Sequence, residues 1–222
     1  MTVHDGAEGG RPMNDKLKTV QDDLAFLRTI AEGGGERGGL GVAGGALYGA
    51  AGLIYGIQTL GHFAQVKGVL VLPPLGSLVL GWLPTVIFLI LMIIVIIIDR
   101  KKPQVGVANR AVNAAFSGAG VANLALILVF ATAAARHHDF RYWLFHPAVV
   151  FVIQGAVWFV IFALRKRPWM ALVSVGWLVC GVAMGMLIDR ADVYLLIASF
   201  GLFAFMMAPG FFMMRQAQRL AP

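Results

Sequence analysis

Histidine and aspartate side chains set between hydrophobic stretches carry most of the chemistry open to this chain of 222 residues. His62 ends the first stretch, His137 and His138 follow the third, and His146 opens the fourth. Asp139, Tyr142, Asp189 and Asp192 belong to the same level. Imidazole and carboxylate groups are the usual ligands of zinc and copper. His62, His137, His138, His146, Asp139 and Asp189 are therefore candidate ligands for such a metal, or for the ring oxygens of a quinone. Arg136, His138 and Asp139 could instead form an acid–base group working on a lipid. Against all of these stands a simpler reading. Amphipathic rings settle at a membrane boundary whether or not they bind anything. Adjacent residues such as His137 and His138 also point in different directions on a helix.

Other chemistries lack their residues. A proton- or ion-coupled transporter usually keeps a carboxylate, histidine or arginine between its helices, and no stretch has an ionisable group near its middle. No stretch holds a lysine for a retinal Schiff base, or inward histidines for a haem pair. HExxH, CxxC and Walker signatures are absent. Ser117 lies in Ala-Phe-Ser-Gly-Ala, which is no nucleophile elbow. Cys180 is the single cysteine and reads as a small core hydrophobe. Met206, Met207, Met213 and Met214 could bind Cu(I), but they lie far from the histidines. No resident cofactor is expected, zinc or copper being the exception the outer cluster would allow.

The elements that position these residues are hydrophobic. Apolar residues make up 59% of the chain and charged residues 13%, against roughly 45–50% and 25% in soluble domains. Six stretches, at 40–62, 75–98, 111–135, 142–164, 169–188 and 193–214, are each long enough to cross a hydrocarbon core of about 30 Å as a helix. The expected fold is an all-α integral membrane protein, a six-transmembrane-helix bundle preceded by a short cytoplasmic amphipathic helix. Its parts are a disordered tail (1–12), the amphipathic helix (13–33), the membrane domain (39–214) and a cytoplasmic C-terminal tail (215–222). No cleaved signal is expected, and the first membrane helix serves as its own insertion signal.

Charge sets the orientation. Of 18 Lys and Arg residues, only Lys67, Arg136, Arg141 and Arg190 belong to the loops on the histidine side. The remainder flank the opposite ends, so the positive-inside rule puts both termini in the cytoplasm. The net charge of +7 is explained by this anchoring, and no nucleic acid partner is expected. The chain has the look of a small bacterial inner-membrane protein.

Two further patterns concern partners. Leu17, Val20, Leu24, Leu27 and Ala31 recur at alternating spacings of three and four, the stripe of a short amphipathic helix. So short a helix is marginal alone in water, so its stripe needs a surface to pack on, protein or inner leaflet. Gly41, Gly45, Gly49, Gly52 and Gly56 form rows on the first membrane helix, and Gly181 and Gly185 repeat the device on the fifth. Such rows let two backbones approach, within the bundle or across a homodimer seam. The second stretch, bulky and uniform from 86 to 98, is expected to face lipid over much of its surface or to meet another membrane subunit. Buried amides are expected to bond between helices; in a solute cavity Gln154 would face Asn123.

The function these features favour is a non-enzymatic membrane protein that holds a protein partner or a second copy of itself, as scaffold, regulator or accessory subunit. The alternative is a transporter or sensor of a small solute or metal using the outer His/Asp cluster. A lipid-modifying enzyme comes third.

Overall fold

The computed structural model describes Lys18, residues 20–24, 41–99 and 107–219, and these are almost entirely helical. Lys18 and residues 20–24 lie in helix. The remaining elements are α1 (Gly41–Val66), α2 (Pro74–Asp99), α3 (Val107–His137), α4 (Arg141–Arg165), α5 (Pro168–Met186), α6 (Ala191–Gly201), a π-helical segment (Leu202–Met207) and α7 (Ala208–Arg219). The last three run on as one rod from Ala191 to Arg219. Of the amphipathic stripe, Leu17, Leu27 and Ala31 lie outside the described residues, as does the tail at 1–12.

Among the described residues five helices are long and apolar enough to cross a membrane: α2, α3, α4, α5 and the rod. A multi-pass membrane protein follows. The chain spends its hydrophobic residues on segments whose backbone groups bond internally, as hydrocarbon demands. α1 has 26 residues, but it is not among the five. Its glycines and tyrosines replace the bulky aliphatic residues that raise hydropathy elsewhere.

The expected stretches coincide with helices, and most helices run further. α3 begins before Arg110, and the rod continues through Arg215 to Arg219. Residues 215–219, expected as tail, are therefore helix. Hydropathy marks only the part of a helix that sits in hydrocarbon. Beyond it, charged residues continue the backbone ladder into the headgroup layer. The α3 end is better defined. His138 has φ 50°, and the Asp139 N–H donates to the Ala134 carbonyl at 3.3 Å, the left-handed cap that usually employs glycine. Lys166 caps α4 in the same conformation, with φ 55°.

Neighbour relations place the elements in the order α2, α1, rod, α5, α4, α3. The α1–rod contact is antiparallel. Gly45 faces Gly210 and Met214, Gly49 faces Phe211, Gly52 faces Leu202 and Met207, and Gly56 faces Phe203. Gly45, Gly49, Gly52 and Gly56 are thus covered by the chain's own last helix, so the contact these four make is within one bundle. Gly181 packs on Ala148 and Val152 of α4, whereas Gly185 faces open space. The core lies where α1, α4, α5 and the rod meet, around Trp158, Trp177 and Met184. Among the residues whose side chains are described, α2 carries no buried one, and α3 only Val112 and Ala119. Both are peripheral helices, as the uniform aliphatic run of α2 required.

Candidate functional site

The loops joining α1 to α2, α3 to α4 and α5 to α6 share one end of the bundle, and that end carries the candidate ligands. The structure gives all of them but His138 a partner of its own. His62 Nδ1 lies 3.0 Å from Gln65 Oε1, and Gln65 donates from Nε2 to Ser77 Oγ at 2.9 Å. This short relay ties the end of α1 to the start of α2. His137 stacks on Tyr142, ring centroids 4.7 Å apart. His138 is exposed and occupies the left-handed cap position. Asp139 accepts the Arg141 backbone N–H at 2.9 Å, capping the entry to α4. Asp189 pairs with Arg141 at 3.1 Å, and Asp192 with Lys67 at 2.6 Å.

His146 sits deeper, half-buried between α3 and α4. Its Nε2 lies 2.9 Å from Asn123 Oδ1, which fixes that nitrogen as the donor. Its ring stacks on Trp143 at 5.1 Å and meets the edge of Phe130 at 6.2 Å. Asn123 therefore does not face Gln154. Gln154 Oε1 lies 3.4 Å from the Tyr48 hydroxyl, which also accepts the Trp158 indole N–H at 2.8 Å. Spacing along one helix gives a direction for an amide but not the depth of its partner on the next.

Five of the six candidate ligands thus have separate local partners, and His138 is exposed. Among the described residues no group of three or more His, Cys, Asp or Glu side chains is placed to hold a metal ion. Of Arg136, His138 and Asp139, Asp139 accepts the Arg141 backbone N–H, and no ion pair joins the three among the described residues. The polar groups inside the bundle join helices. Gln58 donates to the Leu80 and Gly81 carbonyls at 3.2 and 2.8 Å, and Ser199 to the Thr59 hydroxyl at 2.8 Å. Ser174 donates to the Gly155 carbonyl at 2.7 Å, and Tyr194 to the Leu144 carbonyl at 2.6 Å. Among the described residues no buried side-chain nitrogen or oxygen lacks a partner.

Sequence reasoning missed two features. The π-helical segment interrupts the rod, and the Trp177 indole donates to the Phe205 carbonyl inside it at 3.0 Å. No spacing of apolar residues signals such a turn. The second is a shallow, open depression on the outward face of α3, formed by Leu128, Val129, Thr132, Ala133, Arg136 and His137 of that one helix. Its signal was available: two adjacent rows at four-residue spacing pass from aliphatic to polar. Of the amphipathic stripe, Val20 and Leu24 are described, and both are exposed, at 54% and 60%. No protein-family model, curated protein or solved structure matches the chain.

Proposed function

We propose that this chain is a non-enzymatic subunit of a membrane assembly, holding a protein partner through its N-terminal amphipathic helix and the open flanks of its bundle. The observation that carries this reading is the exposure of Val20 and Leu24, one helical turn apart on the same face and uncovered by the bundle. The interior supports it from the other side. Its amides and hydroxyls are used as bonds between helices, which suits a rigid platform better than a solute path. A metal transporter or sensor would need the outer histidines and aspartates to converge, and among the described residues no three of them do.

We further propose that α1 crosses the membrane with the other five, giving six crossings and both termini in the cytoplasm of a cell with this inner or plasma membrane. Support comes from the length of α1, its antiparallel packing along the whole rod, and the basic residues at one end of the bundle.

A photoreactive phenylalanine analogue placed singly at Val20, Leu24, Lys18 or Asp22, in native membranes, tests the docking face. Lys18 and Asp22 lie roughly opposite Val20 and Leu24 around a helix. Adducts to one protein of discrete mass from Val20 and Leu24, and not from Lys18 or Asp22, are the expected result. Adducts to lipid alone, or equal protein adducts from all four positions, would remove the docking helix.

A further inference from the structure

We propose that Pro84 and Pro209 are hinges in α2 and the rod, and that Gln58 and Trp177, each on a neighbouring helix, are the latches that fix their angle. The proposal stands on the fold, apart from the partner-binding reading. A proline inside a helix has no N–H for the carbonyl four residues before it, and its ring crowds that carbonyl. The helix bends at such a point, and the next rung of its ladder loosens. In hydrocarbon no water replaces the lost bond, so a neighbouring helix must. Pro84 lies inside α2. The carbonyl it leaves is that of Leu80. Gln58 Nε2 on α1 donates to this oxygen at 3.2 Å and to the Gly81 carbonyl beside it at 2.8 Å. Pro209 lies just past the π-helical segment. The Ala208 N–H reaches back five residues to the Phe203 carbonyl. Residue 209, next in line, has no N–H to give, so the ladder changes register there. The carbonyl it leaves is that of Phe205, the same oxygen that takes the Trp177 indole N–H from α5 at 3.0 Å. Pro147, inside α4, repeats the pattern one rung along. The Tyr194 hydroxyl of the rod donates to the Leu144 carbonyl, three residues before it, at 2.6 Å. Among the described residues, Ser174 on the Gly155 carbonyl is the contrasting case, a bond between helices with no proline ahead of it.

The packing on either side of each proline is unequal, which is what a hinge requires. Before Pro84, Gln65 holds Ser77 at 2.9 Å, and Leu80 covers Gly61. Past it, Tyr55 meets Phe88 with ring centroids 5.5 Å apart. From Leu89 to Ile98 every side chain is exposed or half-exposed. The first part of α2 is therefore tied to α1, and the last part is an arm. In the rod, Tyr194 and Gly201 hold the part before Pro209 against α4. The part after it lies on α1 through Gly210 and Phe211 and meets α5 where Phe212 touches the Trp169 ring, centroids 5.3 Å apart. A bend at Pro209 would carry the end of the rod and the facing part of α1 together, away from α4 and α5. Trp177 bonds α5 to the rod at the point where that motion begins.

Distances between spin labels on the full chain in lipid nanodiscs, in a Cys180→Ala background, test the hinges. One pair is Leu164→Cys with Ile97→Cys, and the other is Leu164→Cys with Gln218→Cys. All three positions are exposed. Ile97 stands about 20 Å beyond Pro84 along its helix, and Gln218 about 13 Å beyond Pro209. A change of about 20° at either proline, the size of a sharp kink, moves the label by roughly 5–7 Å. The parent chain should give one distance for each pair. Gln58→Leu should add a second distance from Leu164 to Ile97, displaced by about 4 Å or more, and Trp177→Phe should do the same from Leu164 to Gln218. Pro84→Ala and Pro209→Ala restore the missing N–H, and in those backgrounds removing the latch should leave a single distance. Ser174→Ala, which removes a donor with no proline to serve, should add none. Trp177→Phe keeps a ring against Phe151, and Gln58→Leu alters a half-buried position, so the α2 pair decides where the rod variant fails to fold. Unchanged distances in a folded latch variant would overturn the proposal. So would a second distance that persists once the proline is replaced, because the donor would then serve something other than the proline break.

Discussion

At the scale of single residues, the histidines at this end of the bundle do structural work that their types alone conceal. His138 is the clearest case. It takes the left-handed position that ends α3, with φ 50°, a conformation that costs an L-residue roughly 1–2 kcal/mol relative to glycine. Glycine carries its own entropic penalty of about 0.5–1 kcal/mol. His138→Gly should therefore leave stability unchanged or raise it by up to ~1 kcal/mol, read as the melting temperature in detergent. A clear fall in melting temperature would mean that the imidazole makes a contact beyond its backbone role. His62 and His146 behave differently, each bonded to an amide on its own helix or the next. Their place at one end of the bundle was legible, because amphipathic rings gather at the boundary. Their partners were not, because Gln65 and Asn123 read in sequence as unremarkable polar residues.

Between elements, the α1–rod seam decides how the bundle closes. A side chain at Gly52 would meet the Leu202 carbonyl oxygen at 2.8 Å and the backbone nitrogen of Met207. Backbone cannot rotate aside, so the helices must separate. The π-helical segment lies directly across from this glycine, spanning Leu202–Met207. Its altered carbonyls find a donor in Trp177 on the opposite side, which holds an uncommon turn in place. Gly52→Val should destabilise the bundle by about 1–3 kcal/mol or more, the range for overpacking, and Gly185→Ala, in open space, should be silent. Thermal unfolding of the two variants compares them directly, and equal stability would remove the seam's importance. The glycine rows announced a close approach from sequence. They could not announce which backbone fills it, since a four-residue period fixes a face and leaves its partner open. The structure fills it from within the chain, and that removes the seam a second copy would have used. The lateral surfaces of α2 and α3 are what remain for lipid or another subunit.

For the whole molecule, the outstanding question is how many times the chain crosses the membrane. Hydropathy recognises α2, α3, α4, α5 and the rod because aliphatic residues dominate them. α1 trades such residues for glycines that let the rod approach, so the property that makes it the central helix also hides it from a hydropathy criterion. Packing gives the better argument. A helix of 26 residues laid antiparallel along the rod, from Gly45 beside Met214 to Gly56 beside Phe203, supports the sixth crossing proposed above. Single cysteines at Asp22, Val69 and Lys166, in a Cys180→Ala background, make this testable with a membrane-impermeant maleimide on intact cells. Each position is exposed. Three crossings separate Val69 from Lys166, so these two should label from opposite sides, Val69 from outside and Lys166 only after permeabilisation. Asp22 then decides α1. If α1 crosses, Asp22 is protected in intact cells together with Lys166. If Asp22 labels together with Val69, α1 lies in the outer boundary, the count falls to five, and an N-terminal helix on the cytoplasmic side has no place in the protein.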